Sequence, residues 1–160
     1  MTRLVILADT HMPRRGKELP GVVLDALQGA DLIVHLGDFT NPELVVTLEE
    51  FGPLKAVHGN NDSAEVRRMF PGKLRFDVDG RTVALVHGDI GAPTALEAAR
   101  REQNADLVLF GHSHRPVVLE ENGRMLLNPG SAMDRRWAPT KAFAIADIDE
   151  SIVARIIPLP

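Results

Sequence analysis

The stretch LVLFGHSHRP, residues 107–116, places a short apolar run directly before a turn that carries two histidines. Residues 107–110 are all apolar, as expected for a strand that is buried on both faces. Gly111 permits a tight turn, and His112 and His114 follow it. A His–Xaa–His turn by itself is an ordinary way to end a strand. Its meaning therefore depends on whether other strands of the chain end in the same way.

Four other predicted strands also end in His, Asp or Asn side chains. Their last residues are Asp9-Thr10-His11, Gly37-Asp38, Gly59-Asn60-Asn61-Asp62 and His87-Gly88-Asp89. Loops that leave the carboxyl ends of parallel strands meet at one edge of an open α/β sheet, which is where ligands bind. The sequence thus predicts that all five strand ends contribute to one shared site.

Apolar, β-branched runs alternate with amphipathic stretches in the first part of the chain, which indicates βαβ units and an α/β fold. The pattern predicts strands over 3–9, 31–38, 54–60 and 106–110, and helices over 19–30, 41–52, 64–69 and 93–103. Asn41 is the expected N-cap of the second helix, with Pro42 at its first position. A hairpin that turns at Asp79-Gly80 is expected over 73–89, and alternating strands over 116–131 and 142–159. This β-rich second part predicts a mixed sheet or two packed sheets.

Composition narrows the class of protein. A chain of 160 residues with 44% hydrophobic and 25% charged residues predicts one globular domain, 1–160. A net charge of −4 argues against binding a nucleic-acid polymer by counterion release. The chain has no cysteine, which excludes disulfides. Its first apolar run, 4–8, is too short for a signal peptide or a membrane span. We therefore expect a cytoplasmic protein with no membrane partner.

The side chains at the strand ends are suited to metal binding. Imidazole and carboxylate ligands together favour Mn, Fe, Zn or Ni over Mg or Ca. A His–Xaa–His turn can give one ligand to each of two ions, and Asp38 has two oxygens with which to bridge them. Two ions about 3.5–4 Å apart can activate a bridging hydroxide in phosphoryl transfer. We expect two divalent ions, with manganese favoured and iron, zinc or nickel as alternatives.

The motifs DTH, GD, GNND, HG and GHSH, in this order between residues 9 and 114, resemble those of the calcineurin-like metallophosphoesterases. The short chain without a cap insertion is most similar to the small YfcE-type phosphodiesterases of bacteria and archaea, and NPGS, 128–131, fits that branch. The resemblance implies an αββα sandwich, in which two mixed β-sheets pack face to face with helices outside. It also implies a first metal held by Asp9, His11 and His114, a second held by Asn60, His87 and His112, and Asp38 as the bridge. Asp38, Asn60 and His112 are the ligands expected to be catalytic.

Asn61 departs from the pattern of this family, in which many members carry a histidine that acts as general acid. An amide can donate a hydrogen bond but cannot act as an acid. Loss of an acid costs on the order of 10²–10⁴-fold for a poor leaving group and little for a good one. His58 is the nearby candidate to replace that acid, with an orienting role as the alternative.

Several other polar residues lie close to the motifs in sequence. Arg14, Arg15 and Lys17 form either a solvated loop or a phosphate-recognition cluster, in which we take Arg14 together with Asn61 and His58 as substrate-binding candidates. Arg135, Arg136 and Trp137 present the same choice, with a homo-oligomer interface as a further alternative. We expect Asp62 to orient a ligand loop, and His35 to be a hydrogen-bonded core histidine rather than a ligand.

Three functions are compatible with these residues. The first is a two-metal phosphodiesterase acting on a small phosphodiester. The second is a phosphomonoesterase acting on a small molecule or a phosphoprotein, against which Asn61 argues because such a substrate depends more on acid catalysis. The third is a non-catalytic metal-binding scaffold similar to the retromer subunit of this superfamily, although every expected ligand is present here.

Overall fold

The computed structural model describes all 160 residues, as ten strands and four short helices. The strands are β1 (Thr2–Leu7), β2 (Leu32–His35), β3 (Leu54–Ala56), β4 (Lys73–Val78), β5 (Arg81–Val86), β6 (Leu107–Phe110), β7 (Val117–Glu121), β8 (Arg124–Asn128), β9 (Lys141–Ile148) and β10 (Ile152–Leu159). The helices are α1 (Gly21–Gln28), α2 (Glu43–Glu49), α3 (Ala64–Met69) and α4 (Ala95–Arg100). No helix of the protein has the length and apolarity needed to cross a membrane.

The strands form two five-stranded mixed sheets, with the orders β10-β9-β1-β2-β3 and β4-β5-β6-β8-β7. In the first sheet β1, β2 and β3 run parallel, and β9 and β10 complete it in antiparallel pairs. In the second sheet β5, β6 and β8 run parallel, flanked by β4 and β7 in antiparallel pairs. The predicted α/β class with two mixed sheets is confirmed.

Alternating side chains of β1 enter two different apolar layers. Leu4 and Ile6 join a cluster that includes Leu85 and Leu107 of the second sheet, so this layer lies between the sheets. Val5 and Leu7 join a cluster with residues of α1, α2 and α3 on the outer face. A third cluster covers the other face of β5 and β6 and includes residues of α4. This arrangement is the predicted αββα sandwich, and each fully buried Leu or Val in it contributes about 1.5–3 kcal/mol.

Three of the four helices, α1, α2 and α4, are shorter than predicted. The N-cap of α2 is Pro42 and no side chain caps this helix, so the prediction that Asn41 is the N-cap was wrong. The carbonyl of Pro42 accepts the first backbone hydrogen bonds of this helix instead. α4 spans only Ala95–Arg100 within the predicted 93–103, and the Thr94 side chain caps it by accepting a hydrogen bond from the Glu97 N–H.

The carboxyl ends of the parallel strands in both sheets meet at one edge of the sandwich. The N–H of Asp9, after β1, donates to the carbonyl of Gly37, after β2. In the second sheet, the N–H of Gly111 donates to the carbonyl of His87. The two edges are joined where Nδ1 of His87 lies 2.6 Å from the carbonyl oxygen of Leu36. This shared edge carries the side chains described next.

Candidate metal centre

The seven predicted metal ligands converge on the shared edge. Ligand atoms within 4.8 Å of one another form two groups, which are Asp9, His11 and His114, and Asp9, Asp38 and His87. Asn60 Oδ1 and His112 Nδ1 lie 3.2 Å and 3.3 Å from Nε2 of His87 and so extend the second group. The Asp38 carboxylate lies between the two groups, because its Oδ2 is 3.4 Å from Nε2 of His11 and 3.4 Å from Nε2 of His87.

The turns after the strands hold most of these side chains on strained backbone. Five of the seven candidate ligands have positive φ, namely Asp9 (53°), His11 (46°), Asp38 (60°), His112 (70°) and His114 (60°). This region costs a non-glycine residue free energy and is adopted where the surrounding structure imposes it. Such outliers cluster at functional sites. Their concentration at one edge supports this edge as the candidate site.

Two of the histidines are oriented by backbone carbonyls. His87 donates from Nδ1 to the carbonyl of Leu36, and His114 donates from Nδ1 to the carbonyl of Asp134. Each bond fixes the ring so that Nε2 is directed into the cluster. Burial also lowers the pKa of His114 to about 4, so its ring is neutral at pH 7 and able to bind a cation.

Three polar atoms in the cluster are buried without any hydrogen-bond partner: Asp9 Oδ1, His11 Nε2 and His114 Nε2. A buried polar atom left unsatisfied costs about 1–3 kcal/mol and is uncommon in folded proteins. Asp9 Oδ1 and His114 Nε2 lie 3.7 Å apart. That is too long for a hydrogen bond, but it suits two atoms that each bind one ion at about 2.0–2.2 Å. The residues present therefore fit a metal ion.

Charge in the cluster also favours a cation. Burial raises the pKa of Asp9 to about 7. Burial opposes protonation of His87, but the hydrogen bond to Asp38 and the charges of Asp9 and Asp38 outweigh it and raise the pKa of His87 to about 9. Burial likewise favours the neutral form of Asp38, yet hydrogen bonds from His87 and Asn61 hold its pKa below the usual range. The carboxylates thus favour the protonated, positively charged form of His87. A bound metal ion would take the place of this proton.

Asp62 fixes the loops that present two of the ligands. Its carboxylate accepts hydrogen bonds from the N–H groups of Asp38 (2.9 Å), Thr40 (2.8 Å) and Gly59 (2.7 Å). The loop after β2 is thereby tied to the loop after β3. This is the orienting role that the sequence predicts for Asp62.

The NPGS turn after β8 supports the other side of the cluster. Ser131 Oγ donates to the carbonyl of Asp9 at 2.7 Å and accepts from the N–H of Asp134 at 2.9 Å. Asn128 Nδ2 donates to the carbonyl of Gly111 at 3.1 Å. Asp134, which orients His114 through its carbonyl, was missed by sequence reasoning. Its position just after NPGS was the only signal for it.

The predicted substrate-binding residues separate into two cavities. Arg14 and Asn61 line a cavity of about 340 Å³ that also contacts His11. His58 instead lines a separate cavity of about 150 Å³ together with Lys73 and Asp89. The structure therefore brings Arg14 and Asn61 together next to His11, whereas His58 lies in the other cavity, beside the candidate ligand His87.

His35 and Trp137 also have defined surroundings. Nδ1 of the fully buried His35 accepts from the N–H of Gly37 at 3.1 Å, and Nε2 donates to Thr10 Oγ1 at 3.0 Å. The ring stacks on Phe39 with centroids 3.6 Å apart. Both nitrogens are thus occupied, which agrees with the prediction that His35 is not a ligand. Trp137 is 89% exposed, so no part of this chain covers it.

Comparison with known families agrees with this geometry. Residues 2–151 match the model of the calcineurin-like phosphoesterase superfamily domain, and the chain belongs to this superfamily. A probable metallophosphoesterase from Methanothermobacter thermautotrophicus is 33% identical over 155 residues, which cover 95% of this chain and 90% of that protein.

Two solved structures share the fold at lower identity. Vacuolar protein sorting 29 from Cryptosporidium parvum aligns with a TM-score of 0.83 and 23% identity, over 99% of this chain and 92% of that one. A novel archaeal phosphodiesterase aligns with a TM-score of 0.76 and 22% identity, over 98% of this chain and 99% of that one. At these identities the likeness shows the fold alone.

Proposed function

We propose that the protein is a metal-dependent phosphodiesterase that hydrolyses a small phosphodiester with the help of two divalent ions. The observation that carries this proposal is the set of three buried ligand atoms without hydrogen-bond partners, which face one another at the carboxyl edge of both sheets. The seven ligands would hold the ions as Asp9, His11 and His114 on one side, Asn60, His87 and His112 on the other, and Asp38 between them.

The residues of the chain have distinct tasks in this proposal. When bound, the two ions supply an activated water nucleophile and neutralise negative charge on the phosphoryl oxygens. Asp38 lies between the two ligand groups and links them, since its Oδ2 is equally distant from Nε2 of His11 and Nε2 of His87. The carbonyls of Leu36 and Asp134 hold His87 and His114 in the tautomer that binds metal.

The mixture of imidazole, amide and carboxylate ligands supports Mn²⁺ as the first choice, with Fe, Zn or Ni as alternatives. The absence of cysteine leaves no thiolate ligand that would favour a softer ion. We place this activity in the cytoplasm.

Asn61 supports a diester rather than a monoester substrate. Its Nδ2 donates to Asp38 Oδ2 at 2.9 Å and its backbone N–H donates to Asp38 Oδ1 at 2.8 Å. The side chain thus steadies a ligand and supplies no proton to a leaving group. Monoesters with poor leaving groups depend more on such a proton. The archaeal phosphodiesterase that shares the fold is consistent with this choice.

The test compares two esters with the same good leaving group. Protein stripped with chelator and reloaded with Mn²⁺ is assayed on bis-p-nitrophenyl phosphate and on p-nitrophenyl phosphate. We expect turnover to return with the metal and to favour the diester. Asp38→Asn should lose both Mn²⁺ and activity, whereas Asp25→Asn, on the exposed face of α1, should keep both. A higher rate on the monoester would replace the diesterase by a phosphomonoesterase.

A scaffold function is the second candidate, because the fold is shared with vacuolar protein sorting 29. Full Mn²⁺ occupancy with no hydrolysis of either ester would favour it over an enzyme.

A further inference from the structure

A polar cavity opens beside the candidate ligand His11. It has a volume of about 340 Å³, and no hydrophobic residue lines it. Its walls are His11, Arg14, Arg15, Thr40, Asn61, Asp134 and Arg136. Because His11 is a candidate ligand and Asn61 is bonded to Asp38, this cavity is continuous with the metal centre.

The cavity concentrates positive charge on an otherwise acidic chain. Three arginines and one aspartate line it, an excess of two positive charges, whereas the whole chain carries a net charge of −4. Such a local excess attracts anions, and the arginine fork can bind two oxygens of a phosphate at once.

Asp134 arranges two of the arginines without neutralising the third. Its Oδ2 lies 3.1 Å from Nε of Arg15 and 3.8 Å from Nε of Arg136, and only 12% of its side chain is exposed. Its Oδ1 also accepts from the N–H of Arg136, whose φ of 45° is unusual for an arginine. Arg14 lines the same cavity, is exposed, and has no hydrogen bond or ion pair with the rest of the chain. Its guanidinium is therefore free for a ligand.

The reacting phosphate does not need these arginines. In the proposed enzyme the two divalent ions already bring four positive charges to that phosphate. The arginine cavity lies to one side, next to His11, and its volume accommodates a further part of the substrate. A group that uses this charge must itself be anionic.

We propose that the cavity lined by Arg14, Arg15 and Arg136 binds a second anionic group of the substrate, so that the preferred diester carries a terminal phosphate on one of its arms. This inference rests on the proposed phosphodiesterase function. It narrows the substrate class from any small diester to diesters with an additional phosphate, such as a short phosphorylated nucleotide fragment.

The test uses two substrates that differ only in the second phosphate. These are the p-nitrophenyl ester of thymidine 5′-phosphate and the same ester with a 3′-phosphate. In the Mn²⁺-loaded protein we expect the 3′-phosphate to raise kcat/KM by about 10-fold or more, mainly through KM, as charge-assisted hydrogen bonds at a partly exposed site allow. The advantage should shrink as salt is added.

Variants of the cavity arginines test whether the higher kcat/KM of the 3′-phosphorylated ester arises in the cavity. In Arg14→Ala, and more completely in Arg14→Ala combined with Arg136→Ala, the ratio of kcat/KM for the two esters should fall towards one. Arg68→Ala is the matched control, because Arg68 is an exposed arginine of α3 outside the cavity. A ratio near one in the unmodified protein, or an unchanged ratio in the double variant, would overturn the proposal while leaving the diesterase function intact.

A binding measurement keeps the test independent of turnover. Calorimetry on the Mn²⁺-loaded protein should show thymidine 3′,5′-bisphosphate binding about 10-fold more tightly than thymidine 5′-monophosphate, with the difference lost in the double variant. Equal affinities would overturn the second-anion site. If neither ester is hydrolysed but the affinity difference is present, the diesterase function fails and the anion site stands.

Discussion

Gly59 lies where any side chain would collide with the candidate metal ligands. A Cβ at this position would overlap Asp38 Oδ1 and lie 2.8 Å from both Cε1 and Nε2 of His87. Contacts this short force neighbouring atoms to move, and here those atoms belong to two ligands. A closely packed backbone at this point is therefore part of the site.

Gly59→Ala should weaken Mn²⁺ binding by at least about tenfold and lower kcat/KM on bis-p-nitrophenyl phosphate by a similar factor, because moving a ligand costs more than about 1.4 kcal/mol. Gly21→Ala, whose Cβ would meet no atom within 4 Å, is the control and should change neither quantity. Calorimetric Mn²⁺ titration measures the effect. An unchanged affinity in Gly59→Ala would show that Asp38 and His87 do not bind the ion.

His35 makes stability depend on pH. Burial lowers the pKa of His35 from 6.5 to about 3 in the folded chain. Between these values the unfolded chain binds a proton that the folded chain does not, so stability is full above about pH 6.5 and falls as the pH drops. The contribution is about 1.4 kcal/mol for each pH unit below that point.

His35→Asn removes this titration while its side-chain oxygen can still accept from the Gly37 N–H. We expect urea unfolding of the metal-free variant between pH 7 and 4.5 to show a shallower fall in stability than the unmodified protein. The slope is compared rather than the absolute stability, since the substitution also removes the stacking on Phe39. Parallel slopes in the two proteins would contradict the assignment of a neutral, buried His35.

At the scale of an element, the NPGS turn after β8 connects the metal centre to the arginine cavity. Ser131 Oγ bonds to the backbone of Asp9 and Asp134, and Asp134 in turn bonds His114 and Arg15. One hydroxyl thus supports a ligand on each side of the first ion. Removing it should therefore affect both the metal site and the stability of the fold.

Ser131→Ala should lower Mn²⁺ affinity several-fold and reduce the activity that depends on the first ion, with a loss of stability of about 1–3 kcal/mol from the unsatisfied backbone groups. Ser151→Ala, in the exposed turn before β10, should leave metal binding unchanged. Binding is followed by calorimetry and stability by urea unfolding. If Ser131→Ala lost stability but kept its full Mn²⁺ affinity, the turn would support the fold without positioning the ligands.

Element boundaries were predictable where local chemistry determines them. The hairpin turn at Asp79-Gly80 lies between β4 and β5 as predicted, because both residues adopt the positive φ that such a turn requires. The start of α2 was not predictable from Asn41, since the first turn satisfies its backbone groups through the carbonyl of Pro42. The predicted helix over 93–103 was too long at both ends, since the observed helix covers Ala95–Arg100 and residues 101–103 include no apolar side chain that could extend its buried face.

At the scale of the whole molecule, the alternation of strands and helices predicted a mixed sheet or two packed sheets, and the family resemblance implied two mixed sheets. Neither predicted the strand order. β9 pairs with β1 from the far end of the chain, and β8 lies between β6 and β7. Such pairings depend on which faces fit together in the folded protein, and no local pattern encodes them. The site was more predictable than the topology, because parallel strands bring their carboxyl ends to one edge whatever their order. The sequence named Arg14, Arg15 and Arg136 as candidate phosphate-binding residues, but their meeting with Asp134 in one cavity depends on how the loop after β8 folds back.

In the proposed enzyme, seven side chains at this edge hold two ions that together support diester hydrolysis. The most direct measurement is a Mn²⁺ titration of chelator-stripped protein in which bound metal and hydrolysis of bis-p-nitrophenyl phosphate are determined on the same samples. We predict saturation at two ions per chain, with activity rising as the second ion binds. Saturation at one ion per chain, or two bound ions with no hydrolysis, would contradict the account.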